Sequence, residues 1–278
     1  MKYTPKLPQE NYNVTPTSPL KELVVLLGGL LTLVVAIYIV LGLGVELLVP
    51  RISPATEQKI ASIFLSNFDL LDEDDKENLY LQQLVDQMAA KGCFSLPYKL
   101  KVHLVESDTI NAMALPGGHI LVFSDLLDIM ESENELSFVL AHEIGHFENR
   151  DHLRGMGRSL VFAFLATALH APGKSVSNLV SKVIQVTESG FSRDQESDAD
   201  AVGLDILQCT YGHVNGATHF FKHMPKKLDP GRLGHYFASH PENEKRINSL
   251  LELARQKGYP SGQLTPLAVA KQESAQDS

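Results

Sequence analysis

The sequence predicts an α+β fold: a mainly helical domain with a small β-sheet and helices on one side of it, preceded by one transmembrane helix. Leu23 to Val45 is a run of 23 uncharged, mostly apolar residues, and about 20 suffice for a helix to cross a bilayer. Short alternating segments between residues 100 and 123 read as strands. Most of the rest carries apolar residues at helical spacing.

Taken in order, residues 1–22 form a polar arm with Pro5, Pro8, Pro16 and Pro19, a composition that disfavours a packed core and predicts disorder. The apolar run 23–45 follows. It is too long for the apolar region of a signal peptide, and Glu46 to Pro50 is a poor cleavage site, so it reads as a membrane anchor. Residues 51–259 form the main domain. Helices are expected over about 55–67 and 75–91, with Asp72 to Asp75 supplying an N-cap and Gly92 closing the second helix. Leu100 to Val105 alternates as a strand. Ala112–Leu115 and His119–Phe123, joined by Pro116-Gly117-Gly118, read as a hairpin-like pair. A short helix follows over 125–131, then a long one from Glu133 to about His152. Residues 160–171 are nearly all apolar yet too short to span a membrane. They are expected as a core helix, with a surface dipping into the membrane interface as the second reading. Residues 173–181 are polar enough for a mobile lid. The tail 260–278 is polar and alanine-rich and is expected to be disordered.

Net charge is −9, with no block of Lys or Arg, which argues against nucleic acid as a partner. The two cysteines, Cys93 and Cys209, leave two readings open, one disulfide or two buried thiols. No C-x-x-C pair exists, so a cysteine zinc site is set aside.

The chemistry concentrates in the long helix. His142-Glu143-Ile144-Gly145-His146 is H-E-x-x-H. Residues four apart share a helical face, so both imidazoles can bind one Zn²⁺, and Glu143 can reach a water on the metal as general base. A catalytic zinc needs a third protein ligand and an open position. Glu196 and Asp200, also four apart, offer a ligand and a group that orients a ligand; alone they would read as a solvated acidic helix. His219 and His223 share the spacing but lack the glutamate, and read as incidental. His152 lies off the ligand face and is assigned to the helix terminus.

Together these residues resemble a known family. H-E-x-x-H followed by Glu196-Ser197-Asp198-Ala199-Asp200 is similar to the H-E-x-x-H…E-x-x-A-D pattern of the HtpX-like and CAAX-prenyl-protease-type zinc metallopeptidases, a gluzincin group. Asn111 to Ile120 resembles the family's N-A-x-A-L-P-G-G-x-I segment, and His240-Pro241 with Arg246 its H-P-x-x-x-x-R motif. The resemblance covers about residues 100–255 and implies a zincin-like domain over 51–259 holding one Zn²⁺ per chain on His142, His146 and Glu196. It implies that Met113, Ala114 and Leu115 hold substrate backbone, that His240 stabilises the oxyanion, and that Arg246 pairs with Asp200 or Glu196. Bland readings stand beside these: a tight turn at 116–118, an N-cap at His240, a surface arginine at 246.

The implied function is a membrane-anchored zinc endopeptidase acting on proteins or peptides, with misfolded or damaged membrane and envelope proteins as the substrate class. A processing enzyme for one substrate and a low-turnover binding or chaperone module are the alternatives. Lys2, Lys6 and Lys21 precede the span, while Arg51 and Lys59 follow it closely. The positive-inside tendency then leaves the N-terminus in the cytoplasm and the domain across the membrane. A bacterial inner membrane with a periplasmic domain is preferred, and a mitochondrial inner membrane is the alternative. Oligomeric state is not legible.

Overall fold

The computed structural model describes residues 18–170 (side chains to 161), 190–219, 221, 240 and 244–268. The arm to residue 17, the segment 173–181 read as a lid, His223 and residues 269–278 of the tail lie outside these.

Helix α1 (Pro19–Leu48) begins at a proline, whose missing N–H is harmless in a first turn. Pro19 to Glu22, expected within the disordered arm, are therefore helical. Among the described residues this is the one helix long and apolar enough to cross a membrane, with a mean hydropathy of 2.9 and none of its apolar window buried. A core helix would be covered, and this one is not. A short 3₁₀ turn (Val49–Arg51) leads to α2 (Pro54–Leu65), capped by Ser53, whose side chain accepts from the Thr56 N–H. Asp75 is the acidic residue that caps α3 (Lys76–Ala90), accepting from the Glu77 and Asn78 N–H groups, and Gly92 at φ 71 closes it.

Three strands follow: β1 (Lys101–Val105), β2 (Ala112–Leu115) and β3 (His119–Phe123), in spatial order β1-β3-β2. β2 and β3 are antiparallel, from Ala112 opposite Val122 to Leu115 opposite His119, joined by a turn with Gly117 and Gly118 at φ 77 and 85. β1 runs parallel to β3, Lys101 opposite His119 through Val105 opposite Phe123. β2 is thus an edge strand among the described residues. Helices α4 (Ser124–Ile129) and α5 (Glu133–Glu148) complete the first half, α5 capped by Ser132. The main core packs one face of the sheet (Ile120, Val122) against Leu84 and Met88 of α3 and Leu136, Leu140 and Ile144 of α5. Helices were expected on that face alone. Phe64 of α2 and Met156 cover the other, against Met113, Leu115, Leu121 and Phe123.

Where the sequence predicts one helix to His152, the structure has a break. α5 ends at Glu148, Arg150 takes φ 57, and α6 (Asp151–His170) starts anew. A left-handed non-glycine residue costs on the order of 1 kcal/mol. Here a tertiary contact offsets that cost: the Arg150 guanidinium donates to the Ile52 carbonyl at 2.7 Å and to the Glu57 carboxylate. Glu57 is fully buried and also receives the Gly117 N–H at 3.3 Å, with His152 Nε2 at 3.5 Å. One carboxylate thereby ties α2, the β2–β3 turn and the α5–α6 junction. His152, assigned to the helix terminus, places Nδ1 3.3 Å from the His146 carbonyl at that end of α5. The stretch expected as a core helix over 160–171 lies in α6 as far as residue 170, and α6 packs beside α1.

Helix α7 (Arg193–Tyr211) opens with a capping box in which Ser192 and Gln195 serve each other's backbone, and Gly212 at φ 75 ends it. α8 (Glu244–Gln256) packs on α7. Cys93 and Cys209 are joined as a disulfide, with Cα atoms 5.6 Å apart, which decides between the two readings and fastens α7 to the end of α3. The tail expected to be disordered from residue 260 is held as far as 268. The Thr265 N–H donates to Asn134 Oδ1 at 2.7 Å, the Thr265 carbonyl accepts from Glu133 at 2.9 Å, and Leu267 packs on the core.

Burial alone would raise the pKa of Glu57, but hydrogen bonds from His152, Arg150 and the Gly117 N–H outweigh it and bring it down to about 2 from 4.5. A lowered folded-state pKa contributes stability above the unfolded value that is lost as pH falls through the folded one. Stability measured by denaturant between pH 4.5 and about 2 should therefore fall more steeply for the wild type than for Glu57→Gln, which should be the less stable of the two at pH 7.

Candidate active site

The site depends on how closely α5 and α7 approach. A Cβ built on Gly145 would lie 2.8 Å from the Ala199 Cα, closer than real side chains come. A Cβ on Gly203 would meet the His142 backbone N at 3.2 Å. Gly145 is the second variable residue of H-E-x-x-H, and Ala199 is the alanine of E-x-x-A-D, fully buried. These small residues let the backbones touch, which brings Glu196 across to the histidines.

The resulting distances suit zinc. His142 Nε2 and His146 Nε2 are 3.2 Å apart, and each is 3.5 Å from a Glu196 carboxylate oxygen. Around a tetrahedral Zn²⁺ with bonds of about 2.0–2.1 Å, donors stand roughly 3.3 Å apart. The donor chemistry and the spacing therefore fit one zinc ion. All three residues are buried, as is Glu143, whose carboxylate oxygens make no hydrogen bond among the described residues. A buried carboxylate without a hydrogen bond is costly.

His240 joins the same group: its donor atoms and those of His142, His146 and Glu196 lie within 4.8 Å of one another. Its Nδ1 is 2.9 Å from Glu196 Oε1 and 3.1 Å from His142 Nε2, and its Nε2 is 3.4 Å from Glu143 Oε1. Arg246 is no surface residue. It is 8% exposed, and its Nε and Nη2 each reach an Asp200 oxygen at 2.7 Å while Nη1 stands 2.8 Å from Glu196 Oε2. Asp200 in turn lies 2.9 Å from His142 Nδ1. Met113, Ala114 and Leu115 lie on the edge strand β2, which packs against α5, and all three residues are buried.

Electrostatically the site is a nest of carboxylates. Burial disfavours charge on His142, but Glu196 and Asp200 overcome this and push its pKa up to about 9. His146 is likewise raised against burial by Asp151 and Glu196. Burial would raise Glu196 and Asp200 too, yet the neighbouring histidines, and Arg246 for Asp200, hold both well below the carboxylate range.

Three residues of this site escaped the sequence reading. Asp151 Oδ2 lies 3.2 Å from His146 Nδ1, and its other oxygen accepts from Gln195 Nε2 at 2.6 Å. Asp151 thus does for His146 what Asp200 does for His142. Phe191 stacks on the His146 ring, with centroids 3.8 Å apart. Asp151 was hidden because it was read as part of a continuing helix, where a residue five past His146 points elsewhere. Gln195 directly precedes the Glu196-to-Asp200 pattern, and nothing in that spacing marks it as a partner of a distant aspartate. Outside the site, His219 pairs with Glu135 at 3.0 Å, near the start of α5.

Residues 75–254 match peptidase family M48, and the chain belongs to that family. Relatives it resembles carry protease or metalloprotease names. Over 154 residues it is 30% identical to the mitochondrial metalloendopeptidase OMA1 of Arabidopsis thaliana, covering 55% of this chain and 31% of that protein. It is 32% identical to the metalloprotease YcaL of Escherichia coli over 55% of this chain and 61% of the relative. With the protease HtpX homolog of Aquifex aeolicus it shares 27% identity over 70% and 78% of the two chains. The chain thus spans less than two thirds of the first two relatives.

Two outcomes test this geometry. Gly145→Ala should gain helix propensity, about 1 kcal/mol in an exposed helix, yet lose zinc affinity because the added methyl forces α5 from α7. Zinc competition with a chelator, alongside thermal unfolding, reads both effects. Asp151→Asn should keep the fold and weaken zinc binding by roughly 10–100-fold; affinity equal to wild type would remove Asp151 from the site.

Proposed function

We propose that this protein is a membrane-anchored zinc endopeptidase. The observation that carries the reading is the joint placement of two histidines and Glu196 at zinc-donor separations, with the buried carboxylate of Glu143 beside them, which makes no hydrogen bond among the described residues. His142, His146 and Glu196 hold the metal. Bound there, zinc supplies Lewis-acid polarisation of a peptide carbonyl and brings the pKa of a water toward about 7. Glu143 takes the proton from the attacking water and passes it to the leaving amine. His240, whose Nε2 faces Glu143, donates to the oxyanion as charge develops on the carbonyl oxygen. A fourth protein ligand would close a catalytic zinc site, so His240 acts as a donor and not as a ligand. Asp200 and Asp151 fix the two histidine rings through Nδ1, and Arg246 offsets the charge of Glu196 and Asp200. The edge strand β2, at Met113 to Leu115, holds an extended substrate by backbone pairing.

The substrates are proteins, with misfolded or damaged membrane and envelope proteins as the class, a reading supported by the anchor and by the protease names of the relatives. The orientation with the domain outside the cytoplasm is supported by Lys2, Lys6 and Lys21 before the span. The Cys93–Cys209 disulfide supports an oxidising compartment, the bacterial periplasm being preferred over a mitochondrial one.

The full chain in detergent, with casein as a generic unfolded substrate, tests the assignment. Wild type should bind one zinc per chain and cleave; Glu143→Gln should bind zinc and not cleave, a loss of at least about 100-fold expected for a general base. His142→Ala and Glu196→Ala should lose both. Full turnover by Glu143→Gln would remove the base from the mechanism, and wild type without stoichiometric zinc would overturn the ligand set.

A further inference from the structure

We propose that the C-terminal half of α6 is a second membrane element, entering the bilayer beside α1 and placing the zinc site at the membrane face. The inference rests on the anchor reading of α1. Helix α6 has 20 residues and packs along α1. Its first residue, Asp151, bonds the zinc ligand His146. Three and seven residues on, Arg154 Nε and Arg158 Nη1 reach the Glu46 carboxylate of α1 at 2.8 and 3.2 Å. Between them Gly157 abuts Val45 so closely that a Cβ would meet its side chain at 2.6 Å. From Leu160 to Leu169 the sequence then has no charged residue, and Leu160 is 43% exposed.

The direction of α6 follows from these contacts. It leaves the catalytic domain at Asp151, meets α1 at Val45 and Glu46, and therefore continues toward the N-terminal end of α1. The partly covered residues of α1 (Val34, Leu41, Gly42, Gly44 and Val45) extend the same way. From Arg158 to His170 the helix rises about 18 Å, more than half of a hydrocarbon core of about 30 Å. An apolar helix lying along a bilayer-spanning one shares its solvent, so lipid chains are the partner its composition fits. The span is too short to cross, and Phe191 is again stacked on His146, so the chain returns to the side it left.

Two consequences follow. The ion pairs of Glu46 with Arg154 and Arg158 mark the depth where apolar gives way to polar, which is the headgroup level. Asp151 lies only about 9 Å of helix rise from Gly157, so the zinc ligands sit on the order of 10 Å from that level. A cleft of about 650 Å³ there is lined by Glu46, Arg154, Arg158, Asp151, Gln195 and Phe191. Peptide bonds close to where a chain emerges from the bilayer are the ones this placement serves.

The chain contains no tryptophan, so single tryptophans report their own surroundings. Phe162→Trp, Phe164→Trp and Leu165→Trp, which sample three directions around the helix, are made separately in the full chain and reconstituted in vesicles containing lipids brominated on their acyl chains. Tyr38→Trp in α1 is the membrane control and Phe94→Trp in the catalytic domain the outside control. At least one of the three should lose emission to an extent comparable with Tyr38→Trp, while Phe94→Trp keeps its emission. Quenching at position 38 with none at 162, 164 or 165 would overturn the proposal and leave the anchor standing. No quenching at 38 either would overturn both. Neither result depends on proteolysis, so failure of the peptidase reading is distinguishable.

Discussion

The contact between Gly145 and Ala199 is the constraint on which the catalytic arrangement depends. Two helices bearing side chains that must meet at one ion need a fixed separation, and the ordinary helix spacing is about 8–10 Å. Glycine on α5 and alanine on α7 remove the side chains that would keep them apart, and the 2.8 Å that a Cβ would leave at Gly145 shows how little room remains. With the backbones in contact, His142, His146 and Glu196 converge to 3.2–3.5 Å. The disulfide from Cys93 to Cys209 fastens α7 at its far end, so the helix bearing Glu196 is restrained at both ends of its packed face.

Electrostatics then completes what packing begins. Glu143, Asp151, Glu196 and Asp200 are all buried within reach of two histidines, and Arg246 pairs with Glu196 and Asp200. Such a cluster is unfavourable unless cations share it. The histidine pKa values rise for that reason, drawn up against burial. A divalent ion is the natural counter-charge, and the two carboxylates on Nδ1 keep both rings turned with Nε2 toward it.

The same molecule links this centre to its anchor. Glu57, a few residues beyond α1, gathers Arg150, His152 and the turn after β2. Arg150 sets where α5 ends, and Asp151, the next residue, holds His146. The chain from the span to the zinc ligand therefore passes through a handful of buried polar contacts. The edge strand adjoins the same network through Gly117, so the groups that would hold substrate and metal share a foundation.

Much of this was legible in the sequence because it rests on local periodicity. The i, i+4 spacing put His142 with His146, and Glu196 with Asp200, on common faces; the length of an apolar run identified α1; glycines and alternation marked β2 and β3. What the sequence left open depends on contacts between distant residues. Pairing of Cys93 with Cys209 required two helix ends to meet. The break at Arg150 carries no glycine or proline to announce it, since a remote glutamate stabilises it, and Asp151 was hidden with it. Arg246 and His240 could be buried partners or surface residues until the fold placed them inside. The residues after 260 have a polar composition that predicts disorder, yet backbone bonds to Asn134 and Glu133 hold them as far as 268. Residues 160–170 are apolar enough for a core helix or a membrane surface, because an apolar stretch cannot tell protein from lipid; what the structure adds is that they continue a helix packed beside α1. Sequence by itself determined the chemistry and the elements that carry it, since those follow from spacing along one chain. Tertiary structure decided which elements touch, and so which charges are shared, because that depends on steric fit between segments far apart in sequence.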